Sequence, residues 1–185
     1  MFEVELKFPV ESLTKVREEF FEIGAVSQST TVQSDEYLND PIRDFAKLDM
    51  ALRIRCDGDR YCVTFKGPNL DATAKIRKEV EMPLADEHAA AQMKEIYEGI
   101  GFVSVAKVVK RREELLVNWR GTKVHVCLDE VDEVGGFVEL ELVVKDQGSV
   151  AEAKTSLVGL AEHVGLSGVT RTSYLEMLLK NRGML

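Results

Sequence analysis

Eight stretches of this chain alternate apolar with charged or polar residues, and that alternation limits what it can fold into. In the first, Phe2, Val4, Leu6 and Phe8 are interleaved with Glu3, Glu5 and Lys7. A period of two puts the two sets on opposite faces of a β-strand. The same pattern sets Asp35 with Tyr37 in "QSDEYL", Arg53 with Arg55 in "ALRIRC", and Cys62, Thr64 and Lys66 in "YCVTFKG". It aligns Lys75, Arg77, Glu79 and Glu81 in "AKIRKEVEM", and Lys110, Arg112 and Glu114 in "KVVKRREELLVNW". It aligns Lys123, His125, Cys127 and Asp129 in "TKVHVCLDEV", and Glu139 with Glu141 in "FVELELVV".

A weak repeat organises the helices. Three times a strand carrying Glu-x-Glu leads into an amphipathic helix that ends in glycine. The first has Leu13, Val16, Phe20 and Ile23 before Gly24; the second has Met93, Ile96 and Ile100 before Gly101. The third has Leu157, Leu160 and Val164 before Gly165, with Ser149 as the expected N-cap. A fourth helix is expected in "TSYLEMLLKN". Few strands are joined by helices, so mostly antiparallel pairing follows, and with it an α+β or barrel class. The 185 residues, 45% hydrophobic, suit one domain over 1–185 with a sizeable core, and nothing reads as a linker.

The net charge of −8 argues against a general nucleic-acid or membrane-surface binder, and no apolar run reaches transmembrane length. With no leader before the first strand, a cytoplasmic protein is expected. Cys56, Cys62 and Cys127 lack CxxC spacing and are expected to be reduced thiols. "RGTK", Arg120–Lys123, lacks P-loop spacing and reads as a hairpin turn, and no His/Cys cluster has zinc spacing.

The charges are sorted by strand. In an open sheet the charged faces meet water. In a closed sheet of about eight strands they line a lumen, which must then be wet, internally paired or filled by a charged ligand. Glu3, Glu5, Asp129, Glu139 and Glu141 are oxygen donors of the kind hard divalent cations take. Arg and Lys side chains suit phosphates. Both sets together suit a polyphosphate with its metal ions.

In order along the chain, "EVELK", "QSDEYL", "LRIR", "TFKGP", "KIRKEVE", "VKRRE", "CLDEVDEVGGFVELE" and "SYLEMLL" resemble the motifs of the CYTH superfamily, the triphosphate tunnel metalloenzymes. The resemblance spans essentially the whole chain. It implies an eight-stranded antiparallel β-barrel, the triphosphate tunnel, with helices packed outside. It implies Mg²⁺ or Mn²⁺ held by Glu3, Glu5, Glu139 and Glu141, with Asp129 a ligand or a support. It implies triphosphate held by Lys7, Arg53, Arg55, Lys66, Lys75, Arg77, Lys110 and Arg112. Glu79 and Glu81 also match acidic family positions. The phrasing is most similar to the class IV adenylyl cyclase branch, which implies ATP as substrate, cyclic AMP and pyrophosphate as products, and a homodimer. The alternatives are inorganic or thiamine triphosphate hydrolysis, and a polyphosphate- or nucleotide-binding module without turnover.

Overall fold

The computed structural model describes residues 2–69 and 77–185; Lys75 lies outside them, and Arg77 is described by its backbone alone. The elements run β1 (Phe2–Val10), α1 (Leu13–Glu22), β2 (Val26–Asn39), β3 (Ala51–Asp57), β4 (Arg60–Asn69), β5 (Arg77–Leu84) and α2 (Glu87–Gly99). They continue β6 (Val103–Trp119), β7 (Thr122–Val131), β8 (Gly135–Val144), α3 (Val150–His163) and α4 (Tyr174–Asn181). One antiparallel sheet holds all eight strands, in the order β1-β8-β7-β6-β2-β3-β4-β5. This is the antiparallel α+β arrangement that the alternation predicts. The sheet is curled into a half-barrel. Among the described residues no ladder joins its edge strands, β1 and β5.

Two strands are longer than their alternating cores. β2 begins at Val26 and β6 at Val103, and the two pair along most of their length with two register shifts. The β6–β7 hairpin turns at Arg120 and Gly121, with φ of 49° and 86°. Both values are left-handed, as tight two-residue hairpins require. At the β4–β5 pairing the register shifts between Lys66 and Asn69. Pro68 falls inside that gap, where it has no N–H to give to a ladder.

The repeat read from the sequence has a structural counterpart. The glycines after α1, α2 and α3 have φ of 84°, 102° and 72°. In each case the next residue's N–H reaches back to a carbonyl of the last turn: Ala25 to Phe20, Phe102 to Tyr97, Leu166 to Ala161. This is the left-handed closure that glycine favours. The start of α3 departs from expectation. Ser149 is helical and makes no side-chain cap; Asp146 caps a 3₁₀ turn over Gln147–Ser149 that runs into the helix.

α1 and α3 cover the convex apolar face of β1, β8, β7 and β6, burying Phe20, Leu157 and Leu160 completely. α2 covers the smaller β3–β4 region through Ala90, Met93 and Tyr97. Ile96 and Ile100, expected on its buried face, are exposed instead. The fourth helix is not outside. Leu178, Leu179 and Tyr174 of α4 contact Ala106 and Val108 of β6, Val131 of β7 and Phe137 of β8. Val108, Val131 and Phe137 share strand parity with Lys110, Asp129 and Glu139. At this end the concave face is therefore apolar, and α4 buries it.

Candidate active site

The concave face bounds a cavity of about 1060 Å³. Its wall contains three chemistries. The first is acidic. Register places Glu5 opposite Glu141 and Lys7 opposite Glu139. Glu5, Glu139 and Glu141 each offer a carboxylate oxygen, all within 4.8 Å of one another. Burial first, and Glu139 second, push the Glu141 carboxyl up to about 8. Burial, then Glu79 of β5, raises Glu3. Carboxylates this close resist ionising together, and a divalent cation with oxygen coordination relieves the repulsion. The donor set fits Mg²⁺ or Mn²⁺ and does not choose between them. Glu79 and Glu81 also line the cavity, paired with Lys66 at 2.7 Å and Thr64 at 3.0 Å respectively.

The second chemistry is basic. Lys7, Arg53, Arg55, Lys66, Lys110 and Arg112 all line the cavity. Two buried aspartates hold four of them in place. Asp35 accepts from Arg55 at 2.6 and 2.7 Å and from Arg53 at 3.1 Å. Burial alone would raise the Asp35 carboxyl, but the Arg53 charge and the Arg55 hydrogen bonds override it and pull it down to about 2. Asp129 is fully buried and accepts from Arg112 at 2.7 and 2.6 Å, Lys110 at 3.1 Å and the Tyr174 hydroxyl at 2.9 Å. Both Asp129 oxygens are thus engaged by bases and a phenol, and it lies outside the Glu5–Glu139–Glu141 cluster. Its geometry suits the alignment of bases better than metal ligation. Arg112 also bonds Glu139, which links the two sets. The buried Nε of Arg53 has no hydrogen-bond partner, leaving a donor for an incoming oxygen.

The third chemistry is apolar, set among the charged Asp44, Lys47 and Asp49 of the β2–β3 connection. Leu38, Phe45, Met50 and Val105 line the cavity together with Leu175 and Leu179 of α4. Phe45 belongs to the β2–β3 connection, which is pinned by its own turns: the Phe45 N–H donates to the Asn39 side chain at 3.0 Å. No periodicity marks this wall in the sequence, because it is assembled from a connection, the end of β2, the start of β6 and one side of a helix. Asp35 and Tyr174 were legible only as members of "QSDEYL" and "SYLEMLL", without roles. His125 is exposed and does not line the cavity. Cys127 is buried, and burial pushes its thiol well above its ordinary range, so it is inert.

Residues 1–174 match the family model of the CYTH domain. The chain is 31% identical over 179 residues to a protein of Methanocaldococcus jannaschii named "Putative adenylate cyclase MJ0240", covering 96% of this chain and 98% of that one. The solved structure of the PH1819 protein from Pyrococcus horikoshii superposes with a TM-score of 0.86 at 34% identity, covering 97% of this chain and 99% of the other. HpAC1 of Hippeastrum, whose structure is described as revealing a dominant triphosphatase activity, has the same fold. Its TM-score is 0.68 at 18% identity, over 100% of this chain and 96% of that one.

Proposed function

The chain belongs to the CYTH domain family, whose members generally process triphosphates, and from that premise we propose that it is a divalent-metal-dependent adenylyl cyclase converting ATP to 3′,5′-cyclic AMP and pyrophosphate. The observation that carries the reading is the three-part wall of the cavity. Clustered carboxylates, aligned bases and apolar lining side chains correspond to the metal, triphosphate and nucleoside parts of one substrate complex. The near full-length likeness to the Methanocaldococcus protein supports the same choice.

In this reading Lys7, Arg53, Arg55, Lys66, Lys110 and Arg112 hold the phosphate oxygens, with Asp35 and Asp129 fixing their directions. Lys75 and Arg77 are proposed for the same role. Glu5, Glu139 and Glu141, with Glu3 beside them, hold the cation. A cation bound there supplies neutralisation of the phosphates and acidifies the attacking hydroxyl. Apolar lining side chains seat the nucleoside so that the ribose 3′-oxygen faces the α-phosphorus in line with the leaving pyrophosphate. The bases then take up the charge that develops on the pyrophosphate oxygens.

A cytoplasmic homodimer belongs to the same proposal. Among the described residues no helix is long and apolar enough to cross a membrane. Val80 and Met82 of β5 and Ile96 and Ile100 of α2 are exposed apolar surface available to a second copy. The test of the reaction is chromatography of ATP and of tripolyphosphate, each incubated with Mg²⁺ or Mn²⁺. Cyclic AMP and pyrophosphate from ATP are expected. Orthophosphate from tripolyphosphate, without cyclic AMP from ATP, would replace the cyclase reading by a hydrolase, and no product from either would leave a binding module.

A further inference from the structure

Tyr174 opens α4 on the concave face, behind Ser173, whose hydroxyl accepts the Glu176 N–H at 3.1 Å. The phenol is buried and meets Phe137 edge-on at 5.0 Å between centroids. Two ammonium groups lie against its ring: Lys7 Nζ is 4.2 Å from the centroid and Lys110 Nζ 5.2 Å. The hydroxyl donates to the same Asp129 oxygen that takes Lys110 and Arg112. Burial, reinforced by Glu139, pushes the phenol far above its ordinary range and keeps it a donor. Just upstream, the Thr170 N–H donates to the Lys7 carbonyl at 2.8 Å. One short segment therefore touches bases on both β1 and β6.

A ring seat differs from a carboxylate seat. It holds an ammonium in place by the electron density of its face without neutralising the charge. The seat is shared: Lys7 also forms an ion pair with Glu139 at 3.8 Å and Lys110 one with Asp129 at 3.1 Å, so the ring adds a second, uncharged contact to each ammonium. Asp129 acts on Lys110 and Arg112 by its charge. It holds Arg112 by two bonds, and the phenol fixes how the carboxylate is turned.

We propose that Tyr174 is the positioning residue of the phosphate site: its ring seats Lys7 and Lys110 while its hydroxyl sets the orientation of Asp129, and through it Arg112. The proposal rests on the triphosphate reading of the cavity. The decisive experiment replaces Tyr174 in the full chain by phenylalanine and by mono-, di- and trifluorinated phenylalanines. The series drains electron density from the ring at nearly constant volume. Binding of tripolyphosphate is measured calorimetrically in metal-free buffer, with thermal melting as a check on the fold. Affinity is expected to fall stepwise along the series, about tenfold from phenylalanine to the trifluorinated ring, at nearly constant melting temperature. Phenylalanine itself should cost less than that, since it removes only the hydroxyl. A flat series in a chain whose wild type binds tripolyphosphate would overturn the ring seat and leave the site reading intact. Absence of binding by the wild type would overturn both.

Discussion

Asp129→Asn tests the internal order of the site most directly. The substitution keeps volume and removes one charge from a fully buried position. Arg112 retains Glu139 as a partner. Lys110 is left worse off: it is 3% exposed, and Asp129 is the carboxylate with which it forms an ion pair at 3.1 Å. Burial already lowers its pKa. Breaking a buried pair typically costs about 3–5 kcal/mol, because the surviving charge stays desolvated. With Arg112 still paired, the lower end applies, about 3 kcal/mol. For a chain of this length that lowers the melting temperature by roughly 6–12 °C. Chemical denaturation at pH 7 measures the loss, and Lys110→Met in the Asp129→Asn background should recover much of it. A single variant within about 1 kcal/mol of wild type, or a double variant no more stable than the single one, would refute the view that Asp129 exists to hold buried bases.

Asp35 gives a pH signature. Its folded pKa, about 2, lies below the ordinary value of 3.8, so its stabilisation is present above about pH 4 and lost as pH falls through 2. It amounts to roughly 2 kcal/mol, and Asp35→Asn should flatten that limb of the acid-denaturation curve relative to wild type. Glu141 has the opposite sign: a folded pKa raised to about 8 from 4.5 costs stability as pH rises from about 4.5 to 8. Mg²⁺ or Mn²⁺ binding near pH 7 should therefore release protons, seen as a buffer-dependent heat in calorimetry and abolished in Glu141→Gln. Glu139→Gln should lower metal-dependent turnover by at least about a hundredfold with the fold retained, as kinetics per folded molecule would show. Arg53→Ala should raise the tripolyphosphate dissociation constant about tenfold or more, and an unchanged titration would remove Arg53 from the phosphate site.

The strands were legible because one rule, alternation, holds wherever one face of a sheet is apolar. Val124, Val126 and Leu128 are buried on one side of β7 while Asp129 faces the other. α3 was legible for a similar reason: Leu157, Leu160 and Val164 are large and all buried. α2 was misread because its contact face is centred on Ala90, whose small side chain allows close approach yet carries no weight in a search for large apolar residues. Ile96 and Ile100 are the larger residues and point away. The inward position of α4 was hidden for another reason. Val108, Val131 and Phe137 interrupt the charged face at one end, and only the registers of β6, β7 and β8 show that these breaks coincide. Asp35 and Asp129 look alike in sequence to any carboxylate of the site, and what separates them from Glu5 and Glu141 is which strand faces them: bases in the first case, other acids in the second.

The seam between β1 and β5, which no ladder among the described residues closes, also bears on how copies of this chain behave in a crowd. A sheet edge is a template for another chain's backbone, and an undefended one invites edge-to-edge aggregation. Each edge strand here carries a proline, Pro9 in β1 and Pro83 in β5, which removes a donor from the row an intruder would need. Each also carries a pair of acids, Glu3 with Glu5 and Glu79 with Glu81, so two seams brought together would set carboxylate against carboxylate. Glu3 and Glu5, proposed to bind the cation, thus also repel stray sheets. Neutral substitutions at Glu3 or Glu79 should favour association of the variants with one another, and their activities are meaningful only when measured on material shown by light scattering to be free of aggregates.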